Sequence, residues 1–363
     1  MNKRILAILL GGCLILSLSG CGKKPTPEMP EEPPVVEEPE IPIEPEDESE
    51  AVPAGTNPLT GMPMEPEYEN NRPVAVMFNN LKAAQPQLGV SQADIIYEVP
   101  AEGGITRMLG LFQTLDGVGN LGSIRSTRAY YLELALGHDA LLVHAGGSPE
   151  AYRDIPAWGV NNIDGVNGGP SQDAVFWRDA ERRKNAGYEH SMLTSGEKVQ
   201  AYLDKGKYRT EHQDDYTYTQ AFAADGTPIG GQRAEQISIA FTSYKTGTFT
   251  YDASTGLYMI GQYGKDYIDG NTGEQVGVTN VLILETAISE IAGDSAGRLT
   301  VKMTGEGKGT YFCGGKSIPI TWSKADRNSQ FVYRLQDGTP LTLGSGKSYV
   351  CIISPKQSTV TIQ

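Results

Sequence analysis

Short apolar runs separated by turn residues dominate residues 57–363, and their rhythm changes along the way. In Arg72-Pro73-Val74-Ala75-Val76-Met77-Phe78 a proline opens a short apolar run, the pattern of a strand start. Ala93 to Val99 and Thr106 to Phe112 repeat it. The spacing then predicts a helix over Thr127 to Leu136, with Ser126 as its N-cap and Gly137 as its stop. Ala140 to His144 is a further apolar strand, and Ser148-Pro149-Glu150 after it announces a second helix. Thr194 with Glu197 forms a capping box for a helix through Leu203, closed by Gly206. Strands alternating with helices predict an α/β domain, a layered sheet with helices, over 57–215.

After Gly230 the helical spacing disappears. Gln236 to Thr242, Gly247 to Tyr251, Gly256 to Gln262, Thr279 to Leu284, Arg298 to Thr304, Lys316 to Trp322, Phe331 to Leu335 and Ser348 to Ile353 all carry strand patterns, with turn signals between them. A mostly antiparallel β domain over 230–363, a small barrel or sandwich, is the expectation. Asp269-Gly270-Asn271-Thr272-Gly273-Glu274 imitates part of a calcium loop, but the glycine is misplaced and no closing glutamate follows, so it reads as a hairpin turn. Tyr244, Tyr251, Tyr258, Tyr263 and Tyr267 are candidates for exposed rings that stack on sugars.

The first 56 residues have another character. Lys3 and Arg4 precede an apolar run, and Leu18-Ser19-Gly20-Cys21 closes it in the manner of a lipobox, a signal over 1–20 cut before the cysteine. The run, about 14 residues, falls short of the ~20 that span a bilayer. Acyl chains on Cys21, such as palmitate, are expected to hold the mature chain on the extracytoplasmic face of the cell membrane. Residues 21–56 form a spacer in which proline alternates with acid, too poor in apolar side chains to fold and up to ~100 Å long if extended. The formal net charge is −14, yet 11 acidic residues lie between Glu28 and Glu50 with no Lys or Arg among them. The acidity therefore belongs largely to the tether, and the weakly acidic remainder argues against a nucleic-acid partner. Of four cysteines, Cys313 and Cys351 remain after Cys13 and Cys21 are set aside, and both sit in strand-like runs as expected buried thiols.

Candidate chemistry concentrates in the first domain. Arg107, Arg125 and Arg128 fall near strand ends and turns, two of them flanking Ser126, where guanidinium forks and free helix N–H groups favour an anion. His144, Gly146, Gly147 and Ser148 form a second loop after a buried strand. The alternative is that these arginines pair internally with Asp94, Glu98 and Glu102. Those three carboxylates are also the catalytic candidates if the protein is an enzyme, although Asp94 and Glu98 on one strand would stand ~13 Å apart, too far for a hydrolytic pair. The four histidines show no paired metal spacing, and no Gly-x-Ser-x-Gly elbow is present, so no metal site is assigned.

Several of these stretches resemble the YerB-like family of bacterial lipoproteins: Arg72 to Asn79, Gln85 to Gly89, Ser91 to Glu98, Glu102 to Arg107, Gly122 to Arg128 and His144 to Ser148. Phe176 to Asp179, His190, Gly307 to Lys324 and Asp337-Gly338 extend the likeness downstream, with Ser191 standing where an asparagine is common. The resemblance implies a two-domain, membrane-anchored envelope protein and no particular reaction. The first domain is also similar to LytR-CpsA-Psr phosphotransferases in the order of Asn79, Asp94, the Arg125-to-Arg128 turn and the Gly146 loop. Their metal-binding acids would fall on Asn79 and Ser126, which lack charge. The expectation is an extracytoplasmic lipoprotein that binds an anionic or glycan envelope component without a cofactor. Its partners would be membrane lipid through Cys21 and a cell-wall polymer, lipid-linked precursor or envelope protein. The alternative is a cell-wall-acting enzyme, a divergent phosphotransferase using Mg²⁺ or a glycan hydrolase.

Overall fold

Apolar runs bounded by proline and glycine become strands in the computed structural model, which describes residues 55–363. The lipobox and spacer, including Cys21, lie outside the described residues. In chain order the elements are β1 (Val74–Asn79), β2 (Ile95–Pro100), β3 (Thr106–Phe112), α1 (Ala129–Gly137), β4 (Leu141–His144), α2 (Pro149–Ala157), β5 (Asn162–Asp164) and α3 (Gly196–Leu203). They continue with β6 (Gln236–Ala240), β7 (Thr246–Asp252), β8 (Leu257–Gln262), β9 (Asn280–Glu285), β10 (Gly305–Cys313), β11 (Lys316–Lys324), β12 (Val332–Leu335), β13 (Ser348–Ile353) and β14 (Thr359–Ile362).

An 11-stranded mixed sheet runs in the order Gln232–Arg233, β11, β10, β9, β13, β2, β3, β1, β4, β5, with β12 on the far side of β11. It crosses the expected domain boundary at β13, which pairs in parallel with β9 on one side and with β2 on the other, Ser348 facing Ile95 and Cys351 facing Glu98. A second, six-stranded antiparallel sheet is built on β8, β7, β6 and β14. Alternation along the central strands sorts side chains into two cores. Val76, Phe78, Ile96, Ile283 and Tyr349 share one with Ile237, Ile239, Phe249 and Ile260 of the second sheet. Ala75, Met77, Val99, Leu109 and Leu142 share the other with Tyr131, Leu132 and Ala135 of α1. Each fully buried Val, Leu, Ile, Phe or Met side chain among them contributes ~1.5–3 kcal/mol. The layers are therefore sheet, sheet and helix, with few helices overall and a C-terminal part made mostly of antiparallel strands.

Glycine content conceals all but the apolar Cys313 end of β10, a nine-residue strand in the middle of the C-terminal part. Gly307 lies under the indole of Trp322: a Cβ there would meet the ring at 2.6 Å and the Glu285 carbonyl at 2.7 Å. The residue type that argues against a strand in general is the one that fits this strand between its neighbours.

Two helix starts differ from expectation. Arg128, not Ser126, occupies the N-cap position of α1, because Thr127 is held extended by its N–H bond to Gly146 O (3.0 Å), and Ser126 Oγ donates to Ala145 O (3.0 Å). Ser195, not Thr194, caps α3 by accepting from Lys198 N (3.2 Å), while Thr194 Oγ1 donates to Val175 O (2.8 Å). Ser148 caps α2 as expected, accepting from Ala151 N. The five tyrosines are not an exposed set: Tyr258 and Tyr267 are buried in the core between the sheets, and Tyr244 is the one among them that is largely exposed. Cys313 and Cys351 are both buried and unpaired, in the two different cores, so the central sheet stands between them.

Candidate functional site

The carboxyl ends of β1 and β4 lie side by side because these strands are parallel neighbours. The Arg125–Thr127 segment leading into α1 runs alongside β1, Arg125 N donating to Met77 O (2.9 Å), and is joined to the segment that leaves β4 by backbone hydrogen bonds: Ala145 N to Arg125 O (3.1 Å), Thr127 N to Gly146 O (3.0 Å) and Ser148 N to Thr127 O (3.2 Å). Gly146 needs its glycine here, since φ is +83° and a Cβ would stand 3.0 Å from Ser126 Oγ. Gly147 makes a parallel bridge to Thr127.

This double loop brings the three arginines together. Arg107, from the start of β3, donates through Nη2 to Glu102 Oε1 (2.7 Å) and through Nη1 to Ser126 O (2.7 Å). Arg128 grips both oxygens of Glu102, with Nε to Oε2 at 3.1 Å, and also donates through Nη1 to Thr127 O (2.7 Å). Burial alone would raise the Glu102 carboxyl, but the two guanidiniums outweigh it and hold the pKa at about 2. Arg125 pairs with Glu189, on the 3₁₀ turn Tyr188–His190. Burial, followed by repulsion from Arg107 and Arg128, lowers the Arg125 guanidinium to about 10, still charged at neutral pH. Nε of Arg107 and Nε of Arg125 are both buried without a hydrogen-bond partner. Three arginines thus face two glutamates, and the outer glutamate is half exposed, at 51 %.

His144 is not available to a ligand. Its Nδ1 lies 2.8 Å from Gly146 O and its Nε2 3.0 Å from the Asn162 amide, which fixes a neutral ring donating at Nδ1; burial lowers its pKa further. Asp164, which sequence reasoning passed over, accepts from Gly146 N (2.8 Å), Val166 N (2.9 Å) and Tyr152 OH (2.8 Å) and so braces the same loop. The Ser148 hydroxyl is engaged in capping. The loop His144 to Ser148 therefore positions the arginine segment rather than offering free donors of its own.

The three acidic candidates stand apart. Asp94 precedes β2, where it accepts from Asn57 Nδ2 (2.9 Å) and Gln113 N (2.7 Å), whereas Glu102 follows the other end of that strand. Glu98 points into the core between the sheets, against Lys245 and Tyr349. A further concavity that no sequence pattern announced is a small cavity of ≈ 30 Å³ lined by Leu59, Tyr97, His138, Phe222, Phe331 and Val350 among others. Tyr97 OH and His138 Nε2 meet there at 2.9 Å, and burial first, then Lys324, brings His138 down to about 3.

Comparison with known proteins places this architecture. The chain is 29 % identical over 297 residues, 82 % of its own length and 85 % of the relative's, to a protein of Bacillus subtilis (strain 168) named putative lipoprotein YerB. The crystal structure of YerB from Bacillus subtilis superposes with a TM-score of 0.72 at 27 % identity, covering 85 % of this chain and 99 % of that one. Residues 59–209 match the N-terminal domain, and 237–350 the C-terminal domain, of the protein family of unknown function DUF3048. Carrying both domains in order on a shared fold, the chain belongs to the DUF3048 family.

Proposed function

We propose that the protein is an extracytoplasmic lipoprotein, acylated at Cys21, whose Arg125 side binds an anionic group of an envelope polymer or lipid-linked precursor. The observation that carries this reading is the charge imbalance: Arg107 and Arg128 share the protected Glu102, while Arg125 is left with the half-exposed Glu189. A phosphate or carboxylate can present two oxygens to the Arg125 fork, which Glu189 meets through one oxygen only, so such an anion replaces Glu189 without leaving a guanidinium uncompensated. The lipobox Leu18 to Cys21 and the name of the Bacillus subtilis relative support the anchor. The spacer limits the partner to what lies within ~100 Å of the membrane.

Binding of the purified full chain to phosphate-rich wall glycopolymer, titrated at two salt concentrations, tests this. Arg125→Gln should weaken binding at least tenfold, and Glu189→Gln should strengthen it by removing the competing carboxylate. Equal binding by wild type and Arg125→Gln, both folded, would end the proposal. The arrangement of Asp94, Glu98 and Glu102 gives no carboxylate pair that favours the enzymatic alternative.

A further inference from the structure

The least expected chemistry lies between the two sheets. Lys245, in the turn between β6 and β7, is fully buried. Its Nζ stands 3.3 Å from Glu98 Oε1 but is not aligned for a hydrogen bond to it or to any other atom. The same oxygen, Glu98 Oε1, accepts from Asn80 Nδ2 at 2.8 Å and from Thr106 Oγ1 at 2.5 Å, and Asn80 Nδ2 also donates to Thr106 Oγ1 (2.9 Å), so one carboxylate holds an amine, a carboxamide and a hydroxyl at once. Asn80 is itself fully buried, and its Oδ1 has no hydrogen-bond partner. Around them stand Tyr349, donating to Glu98 Oε2 (2.5 Å), Tyr263, whose ring lies 4.7 Å from Lys245 Nζ and whose hydroxyl donates to Asn80 O (2.6 Å), and the buried Tyr267.

A plain buried ion pair does not account for this cluster. A buried ammonium ordinarily collects aligned acceptors for its three protons, and a buried amide oxygen ordinarily finds a donor. Here Lys245 Nζ and Asn80 Oδ1 lack them, while Lys245 Nζ and Asn80 Nδ2 meet the same carboxylate oxygen among buried tyrosines. These are components of acyl transfer: a desolvated amine, an electrophilic carboxamide carbon and a carboxyl group in contact with both nitrogens. We infer that Lys245 and Asn80 form an intramolecular isopeptide bond, with Glu98 as the catalytic proton shuttle.

The reaction needs no co-reactant. The neutral Lys245 Nζ attacks Asn80 Cγ, and the new C–N bond forms as Glu98 accepts a proton from the attacking nitrogen. The tetrahedral carbon then collapses, the Cγ–Nδ2 bond breaks, and Glu98 returns the proton to Nδ2, which leaves as ammonia. Nothing is oxidised or reduced. Burial favours the reactive form, because it lowers the Lys245 pKa against the opposing pull of Glu98. The product amide carries no charge, so the bond also relieves the core of a desolvated ammonium. It would tie the residue following β1 of the central sheet to the β6–β7 turn of the second sheet.

Mass spectrometry of a tryptic digest of the reduced, full-length protein tests this directly. The expected result is a branched peptide joining the Asn80 and Lys245 segments, lighter than the two linear peptides together by one ammonia, with cleavage after Lys245 blocked. Lys245→Met and Glu98→Gln should yield the Asn80 segment only as a linear peptide. Recovery of both segments wholly as linear peptides from folded wild-type protein overturns the inference. Undiminished branching in Glu98→Gln would remove Glu98 from the role given to it. Neither result depends on the anion-binding proposal, which concerns a separate set of residues.

Discussion

Replacing Glu102 by glutamine is the sharpest perturbation of the arginine cluster. Its side chain is 19 % exposed and joins Arg107, 3 % exposed, to Arg128, 10 % exposed, so the variant leaves two buried guanidiniums without a counter-charge. Removing one partner of a buried pair costs ~3–5 kcal/mol. The carboxyl pKa gives an independent measure: a fall from 4.5 to about 2 corresponds to at most ~3.4 kcal/mol. Partial solvent access and the amide oxygen that glutamine retains reduce the expected loss to ~2 kcal/mol. The pH dependence follows from the sign of the shift. A carboxyl whose folded pKa lies below its unfolded value contributes fully above 4.5 and loses that contribution as pH falls toward about 2. Urea unfolding of wild type and Glu102→Gln, followed from pH 7 down to pH 3, should therefore show a gap of ~2 kcal/mol that narrows below pH 4.5. A gap under ~0.5 kcal/mol at pH 7, or one that stays constant down to pH 3, would refute the view that Glu102 clamps this cluster.

Three further outcomes are expected. Gly307→Ala drives a methyl group into the Trp322 ring and the Glu285 carbonyl and should cost ~1–3 kcal/mol, read as a fall in thermal midpoint with a change in Trp fluorescence. Ser148→Ala removes the α2 cap and should cost ~1 kcal/mol in urea unfolding, with the slope unchanged. His138, held at about 3 by burial and then Lys324, should show no imidazole titration by NMR between pH 5 and 8. Since its folded pKa lies below the unfolded value of 6.5, it should also draw stability down as pH falls below 6.5.

The strands that were easiest to read in the sequence are those buried on both faces. β1, β2 and β3 appear as continuous apolar runs because both cores need them, one through Val76 and Phe78 and the other through Ala75 and Met77. Most of β10 is hidden because its glycines answer to Trp322 and Ile283 across the sheet, information that a local pattern does not carry. The start of α1 was misplaced for a related reason: Ser126 has good capping chemistry, but bonds to the Ala145–Gly146 segment hold it and Thr127 outside the helix. In the candidate site, Arg107 and its partner Glu102 are five positions apart, so the pair is legible locally. Glu189 is 64 positions from Arg125, on a short turn with no periodicity, and nothing local marks it as a counter-ion. Lys245, flanked by Tyr244 and Thr246 in a turn, has the sequence context of an ordinary solvated charge; only the closure of the second sheet over Glu98 buries it.

The parallel pairing of β13 with β2 has a consequence for how the molecule comes into being. β2 is complete by Pro100, yet the strand that covers its free side begins at Ser348, and Tyr349 on that strand is also the donor to Glu98. During synthesis, more than two thirds of the chain must emerge while β2 presents an open edge lined with unpaired backbone groups, the situation that invites pairing with the wrong strand. A chain that stopped before Ser348 would keep that edge permanently exposed, so the protein is finished from its C-terminal end.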